Sequence, residues 1–204
     1  MKKKKLTRKE REYLRHRQEI LDIAIELFSK NGLHKVTMND IARASEFSVG
    51  TLYKFFKNKE DLYKELIVGK VSKFHAAMTS AVEIPGTVTD KIESWLDEKI
   101  RLFNDDRKFM RLYFVETMGV SSDVRVGLKN EIKIKYEDML GKIENIFKVG
   151  VKQKVFKASD PYLLALALEG ISNAFLFEHV NNESKHEISA KIILNIFYYR
   201  IKTE

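Results

Sequence analysis

Between Ser48 and Lys59 the chain carries Lys54, Lys57 and Lys59 and no acid, a local charge of +3. On a helical projection Ser48, Gly50, Thr51 and Lys54 fall away from the apolar positions Val49, Leu52 and Phe56. Small and polar side chains on the first turn of a helix let its backbone enter a DNA major groove, and lysines suit phosphates. Lys59 falls at the first turn of the next helix, where free backbone N–H groups and the helix dipole also attract phosphate. The Thr37 hydroxyl stands at the start of an earlier helix in the same way. The competing reading is an amphipathic three-helix scaffold with ordinary surface lysines, and periodicity and charge alone do not separate the two.

Other chemistry is sparse. With no cysteine, disulfide frameworks, thiolate zinc sites and cysteine nucleophiles are excluded. The five histidines (His16, His34, His75, His179 and His186) sit apart, and the last two are split by the polar residues 181–185. Neither a nucleophile elbow, a P-loop nor a zincin motif occurs, and Asp105-Asp106 reads as helix capping. No enzyme, cofactor or metal site is expected.

The elements that must position the basic cluster are helical. Across 204 residues there are 9 Gly and 2 Pro against 44% apolar residues, a composition of long helices around a real core. Ile20, Ala24, Leu27 and Phe28 mark a first helix ending at Asn31-Gly32. Thr37 with Asp40 three residues on predicts a capped second helix with Met38, Ile41 and Ala42 inward. Ser48 caps a third, which carries Val49, Leu52, Tyr53 and Phe56, and Asn58 with Asp61 opens a fourth. The three-residue join between the second and third predicts a helix-turn-helix at about 37–56. Further helices start at Thr87, after Asp105-Asp106, near Val124, at Asp160-Pro161 and near Glu187. The expected architecture is all-α: a basic arm over 1–17, a DNA-binding domain over 18–67 and a helical bundle over 68–204.

Charge is unevenly placed. Residues 1–18 hold nine Lys/Arg and two Glu, a net of +7, leaving +1 for the other 186 residues. Such an arm favours polyanions by counterion release, or is a solvated tail. Residues 1–5 are followed by more charge rather than an apolar stretch, so no secretory leader is expected. The longest apolar window, residues 162–177, carries Glu169, Ser172 and Asn173 and is too short for a bilayer. A cytoplasmic protein without membrane contact is expected.

Residues 14–74 resemble the DNA-binding domain of the tetracycline-repressor (TetR) family of bacterial transcription regulators. The likeness runs through Ile20-Leu-Asp-Ile-Ala24, Leu27-Phe28, Asn31-Gly32, Thr37, Ile41-Ala42, Thr51-Leu-Tyr53, Phe56-Lys57 and Lys59-Glu-Asp-Leu62. It implies that the third helix enters the major groove and that Thr37, Tyr53 and Lys59 grip phosphates. Asn39, Val49, Gly50, Thr51 and Lys54 then face bases or backbone, with Ser48 and Lys57 beside them. One departure is the inter-helix turn, where the family's Gly-Val is replaced by Glu46-Phe47; a turn residue wants a permissive backbone, which Glu supplies poorly.

In the C-terminal region two helices are apolar on more than one face. Leu163, Leu166, Ala167, Gly170, Ile171 and Ala174 form one side of 162–177, with Ile192 and Ile196 on the last helix. A helix apolar all round must be covered all round, either internally or by a second copy across a two-fold axis. The family resemblance favours a homodimer built on the last two helices, reading a palindromic double-stranded operator. It further implies an effector pocket, for which the candidates are Trp95, Phe103, Met110, Tyr113, Phe114, Tyr136, Met139 and Phe175, with Glu116, Asn173 or His179 as polar handles. Such residues at helical spacing are also ordinary core. The expected function is a dimeric repressor released by an unknown hydrophobic or amphipathic small molecule; the rivals are a non-specific nucleic-acid binder and a regulator that activates.

Overall fold

The computed structural model describes residues 6–118, 126–181, 188–199 and 201. Among them are nine helices: α1 (Arg8–Asn31), α2 (Met38–Ala44), α3 (Val49–Phe55), α4 (Lys59–Val82), α5 (Val88–Asp105), α6 (Arg107–Met118), α7 (Val126–Lys152), α8 (Pro161–Asn181) and α9 (Ala190–Tyr198). The chain divides into two compact units, Met1–Gly69 and Lys70–Glu204. None of the described helices is long and apolar enough to cross a membrane.

In the first unit, short polar side chains set the helix starts. Thr37 and Asp40 form a reciprocal capping box on α2, and Ser48 Oγ accepts from the Thr51 backbone N–H (3.1 Å) at the start of α3. Asn58 Oδ1 accepts from the Asp61 N–H (2.7 Å) at the head of α4. Ile20, Ala24, Phe28, Ile41, Leu52, Phe56, Leu62 and Ile67 are the buried centre that fixes the helices to one another.

The expected arm is corrected here. The first helix starts at Arg8, so residues 8–17 are turns of α1 and not a separate tail. Thr7 and Glu10 close a capping box, and Arg8–Glu12 (3.1 Å) and Arg15–Glu19 (3.2 Å) pair one turn apart. Segments made of Arg, Lys and Glu have good helix propensity but no apolar period to announce it. The extension is also anchored: Tyr13 stacks on Phe55 at 4.7 Å, and Arg17 pairs with Glu65 while lying over the Phe56 ring.

The turn between α2 and α3 holds the local strain that its residues foretell. Glu46 has φ 59°, in the left-handed region where a side chain costs about 1–2 kcal/mol. Glu46→Gly is therefore expected to raise the thermal midpoint by about 2–4 °C, the shift of roughly 1 kcal/mol at this chain length. Calorimetry or circular dichroism checks this, and a lowered midpoint would refute the strain.

In the second unit α5 packs against α7, α8 and α9, and α7 against α8 makes the most extensive pairing. Thr87 and Asp90 cap α5, and Asp160 accepts from the Tyr162 and Leu163 N–H groups at the head of α8. After α7 the chain turns back so that the Phe156 ring lies on Gly150, where a Cβ would run into the ring; only glycine fits. The last helix is shorter than the expected 187–201. It begins after Ser189, whose hydroxyl accepts from Ile192 N–H, and Glu187 lies outside the described residues.

Candidate nucleic-acid interface and ligand cavity

Most of the side chains expected to meet DNA are exposed in the first unit. Gly50, Tyr53 and Lys54, at i, i+3 and i+4 on α3, are exposed, as is Lys57 just past its end, while Leu52 and Phe56 are buried. Val49 and Thr51 are half-buried at the rim. Tyr53 is 54% exposed, so it is not part of the apolar face on which periodicity placed it, and its ring and hydroxyl are both available outside. Nothing within 4 Å of a Cβ built on Gly50 except Ser48 Oγ at 3.9 Å fills the space there. That glycine is therefore not required by the protein's own packing.

The polar groups around this surface are pre-arranged by local bonds. Ser48 Oγ and Thr51 Oγ1 share a hydrogen bond of 2.8 Å. Thr37 Oγ1 donates to Asp40 Oδ2 (2.6 Å) and accepts from the Asp40 N–H, which holds the Asp40 carboxyl below its ordinary range. To donate to a phosphate the Thr37 hydrogen must turn from Asp40. Lys59 donates to the Leu33 carbonyl (2.8 Å), which ties the first turn of α4 to the α1–α2 loop and leaves two of its three donors. Asn39 is exposed on α2, and so is Arg43 one turn on. Arg43 is a functional candidate that sequence reasoning missed, although its i+4 spacing from Asn39 was there to read.

The second unit holds a partly enclosed cavity of about 40 Å³. Of the eight pocket candidates, Trp95, Tyr113, Tyr136 and Met139 line it. Phe103, Met110, Phe114 and Phe175 do not. Phe103 and Phe114 belong to an aromatic cluster with Phe177 and His179 that adjoins the lining through Tyr113, Met110 is buried core, and Phe175 is half-buried on α8. Helix faces separate the two sets: an aromatic type is shared by core and cavity, and only three-dimensional packing decides between them. Asn173 and His179 are outside the lining as well, and Glu116 is not among the described side chains.

Sequence reasoning missed the polar heart of the cavity. Lys99 is buried, donating to Glu169 Oε2 (2.8 Å) and Ser172 Oγ (2.7 Å), with its ammonium 4.9 Å from the centre of the Trp95 ring. Asn173 Nδ2 donates to the other carboxylate oxygen of Glu169 (3.0 Å). Burial pulls the Lys99 ammonium below the usual lysine range, with Glu169 opposing. Burial also pushes the Tyr113 and Tyr136 hydroxyls up, and the Glu169 charge adds to both. A signal existed: Lys99 follows Ile92 and Trp95 at i+7 and i+4 in an otherwise apolar stripe, and Glu169 interrupts an apolar helix.

Both faces of α8 now have addresses. Leu164, Ala165, Leu168, Ser172 and Leu176 are buried, whereas Leu163, Leu166, Ala167, Gly170 and Ala174 are exposed and Ile171 is half-buried. On α9, Ile193, Leu194 and Phe197 are buried while Ile192 and Ile196 are exposed.

Comparison with known proteins fits this arrangement. Residues 20–66 match the family model of bacterial regulatory proteins, tetR family. The chain is 25% identical over 173 residues to the fatty acid metabolism regulator protein of Bacillus subtilis, covering 84% of this chain and 87% of that one. It is 30% identical over 116 residues to the transcriptional regulator QacR of Staphylococcus aureus, covering 57% of this chain and 51% of QacR. In fold it is similar to the ketosteroid transcriptional regulator KstR2 of Mycobacterium tuberculosis (TM-score 0.76, 18% identity, 92% and 95% covered). It is likewise similar to the fatty acid degradation regulator FadR of Bacillus halodurans (TM-score 0.71, 19% identity, 96% and 95% covered). With the helix-turn-helix at residues 38–55 and these likenesses, residues 20–66 carry the DNA-binding domain of the tetR family of bacterial regulatory proteins, and the whole chain is similar in sequence and fold to transcription regulators.

Proposed function

We propose that this regulator is a homodimeric, cytoplasmic repressor that binds a palindromic operator and is released by a small hydrophobic or amphipathic effector. The observation that carries the reading is the coexistence of two unpartnered surfaces of opposite character. One is the exposed Gly50, Tyr53 and Lys54 of α3 with Lys57 just beyond it, suited to a major groove; the other is the exposed apolar stripe of α8 and α9, suited to a second copy. Thr37, Asn39, Ser48, Val49, Gly50, Thr51, Tyr53, Lys54, Lys57 and Lys59 would form the DNA contact, with a two-fold axis placing two α3 helices about one DNA turn apart. A lipid-like effector is supported by the likeness to a fatty acid metabolism regulator, and repression by the likeness to the transcriptional repressor KstR2 of Rhodococcus jostii. An effector acts here only through its different affinity for the DNA-competent and DNA-incompetent conformers.

Selection of the purified protein against a randomised duplex library tests this. Enrichment of a palindrome with half-sites about one helical turn apart is expected. Salt-sensitive retention without enrichment would overturn the operator reading in favour of non-specific binding.

The basic N-terminal segment adds sequence-independent affinity in this scheme. Deleting residues 1–7, which leaves most of α1 intact, removes four lysines. The slope of log K against log salt is expected to flatten by up to about 0.9 for each phosphate that is no longer neutralised, with operator preference kept. An unchanged slope would show that these lysines touch no DNA.

A further inference from the structure

Among the described lining residues, the unpaired Trp95 and Lys135 groups and the third Lys99 N–H are all donors, and the Tyr136 hydroxyl can donate as well as accept. The Lys99 ammonium has three N–H bonds, of which Glu169 and Ser172 take two. The Trp95 indole N–H is buried and has no acceptor among the described residues. Lys135 lines the same cavity and makes no ion pair there among the described residues. Glu169 is the one carboxylate in the described lining, and both its oxygens are engaged, by Lys99 and Asn173. With His75 paired to Asp138, the balance is one positive charge in excess, in a wall that is otherwise mostly apolar and aromatic (Val71, Phe74, Met78, Tyr113, Tyr136 and Met139 among them).

We propose that this cavity is a site for an organic carboxylate on an apolar body, the head group accepting from Lys99, Trp95 and Lys135. An acceptor satisfies donors that would otherwise stay desolvated and unpaired, and a charge-assisted bond to a buried ammonium is the stronger kind. A cationic ligand would have to displace Lys99 from Glu169 and leave the Trp95 donor unmet. A cavity of about 40 Å³ holds a few waters at most, so the apolar body must part the side chains of the wall. The ligand thereby selects an opened conformer of this unit. The assignment rests on the effector-responsive reading above.

Trp95 is the chain's single tryptophan, so its emission reports the cavity directly. The full-length protein is titrated with dodecanoate, dodecan-1-ol and dodecyltrimethylammonium, each below its micelle concentration. Dodecanoate is expected to shift the emission saturably and to bind at least about tenfold tighter than either other probe. Lys135→Met, a change at a half-buried position that leaves the Lys99–Glu169 pair intact, is expected to weaken dodecanoate about tenfold and to leave dodecanol unchanged. Equal or tighter binding of the alcohol or the ammonium would overturn the carboxylate assignment while leaving a ligand cavity in place. An unaffected dodecanoate affinity in Lys135→Met would likewise overturn it. No emission change with any of the three probes would overturn the effector-cavity reading itself.

Discussion

Gly50→Glu is expected to abolish preference for the operator while leaving the protein folded. Gly50 stands exposed in the first turn of α3, and a Cβ there meets nothing closer than Ser48 Oγ at 3.9 Å. Replacing a helical glycine removes an entropic cost of about 0.5–1 kcal/mol, so the thermal midpoint should hold or rise slightly. In the complex the same side chain puts a negative charge and three extra carbons between the α3 backbone and the base edges. Specific affinity should fall at least about 100-fold, toward the non-specific level, because a register that brings the helix into the groove is lost. Binding to unrelated DNA should fall far less, since Lys54, Lys57 and Lys59 remain. Gel shifts on operator and scrambled duplexes, beside a melting curve, check the prediction. Unchanged operator affinity would remove α3 from the groove, and a collapsed midpoint would mean that Gly50 serves the fold.

Ile196→Asp is the second large effect. Ile196 is 55% exposed on α9, one turn from the exposed Ile192, and α8, which packs against α9, exposes Leu163, Leu166, Ala167, Gly170 and Ala174. In the isolated chain an aspartate there faces water and costs little. Across a two-fold axis it appears twice in an apolar seam, with no cation on the stripe to pair it, and the desolvation of two carboxylates opposes association. Light scattering should report twice the chain mass for the wild type and the single-chain mass for the variant. Operator affinity should fall about 10²–10⁴-fold, because the second head no longer binds at the effective concentration that the first one creates. A variant that remains dimeric would place the interface elsewhere, and a monomeric wild type would end the dimer reading.

Much of the helical frame of the first unit was legible in the residues themselves because capping and helical period are local. Thr37 with Asp40, Ser48, Asn58 with Asp61, and Thr87 with Asp90 announce helix starts through bonds that span three residues, and the structure has each of them. The same locality made Glu46 stand out in the turn, where its φ is positive. The apolar face of 162–177 likewise split into a buried and an exposed half that its two-sided pattern foretold. What local pattern does not carry is which of two apolar faces meets which neighbour. Phe103, Met110 and Phe114 looked like cavity residues and are core, whereas Lys99 and Glu169, 70 residues apart, meet only because α5 packs against α8. The helical turns over residues 8–17 escaped notice for the opposite reason. Their stability comes from a cap, i,i+4 charge pairs, ring contacts of Tyr13 to Phe55 and His16 to Phe47, and the Arg17 contacts to Glu65 and Phe56, none of which leaves an apolar period. The sequence by itself therefore determined most of the helices, their caps and the exposed lysines around α3. Tertiary packing alone decided the cavity and its buried ion pair, because long-range burial is what makes a charged pair possible there and gives it something to recognise.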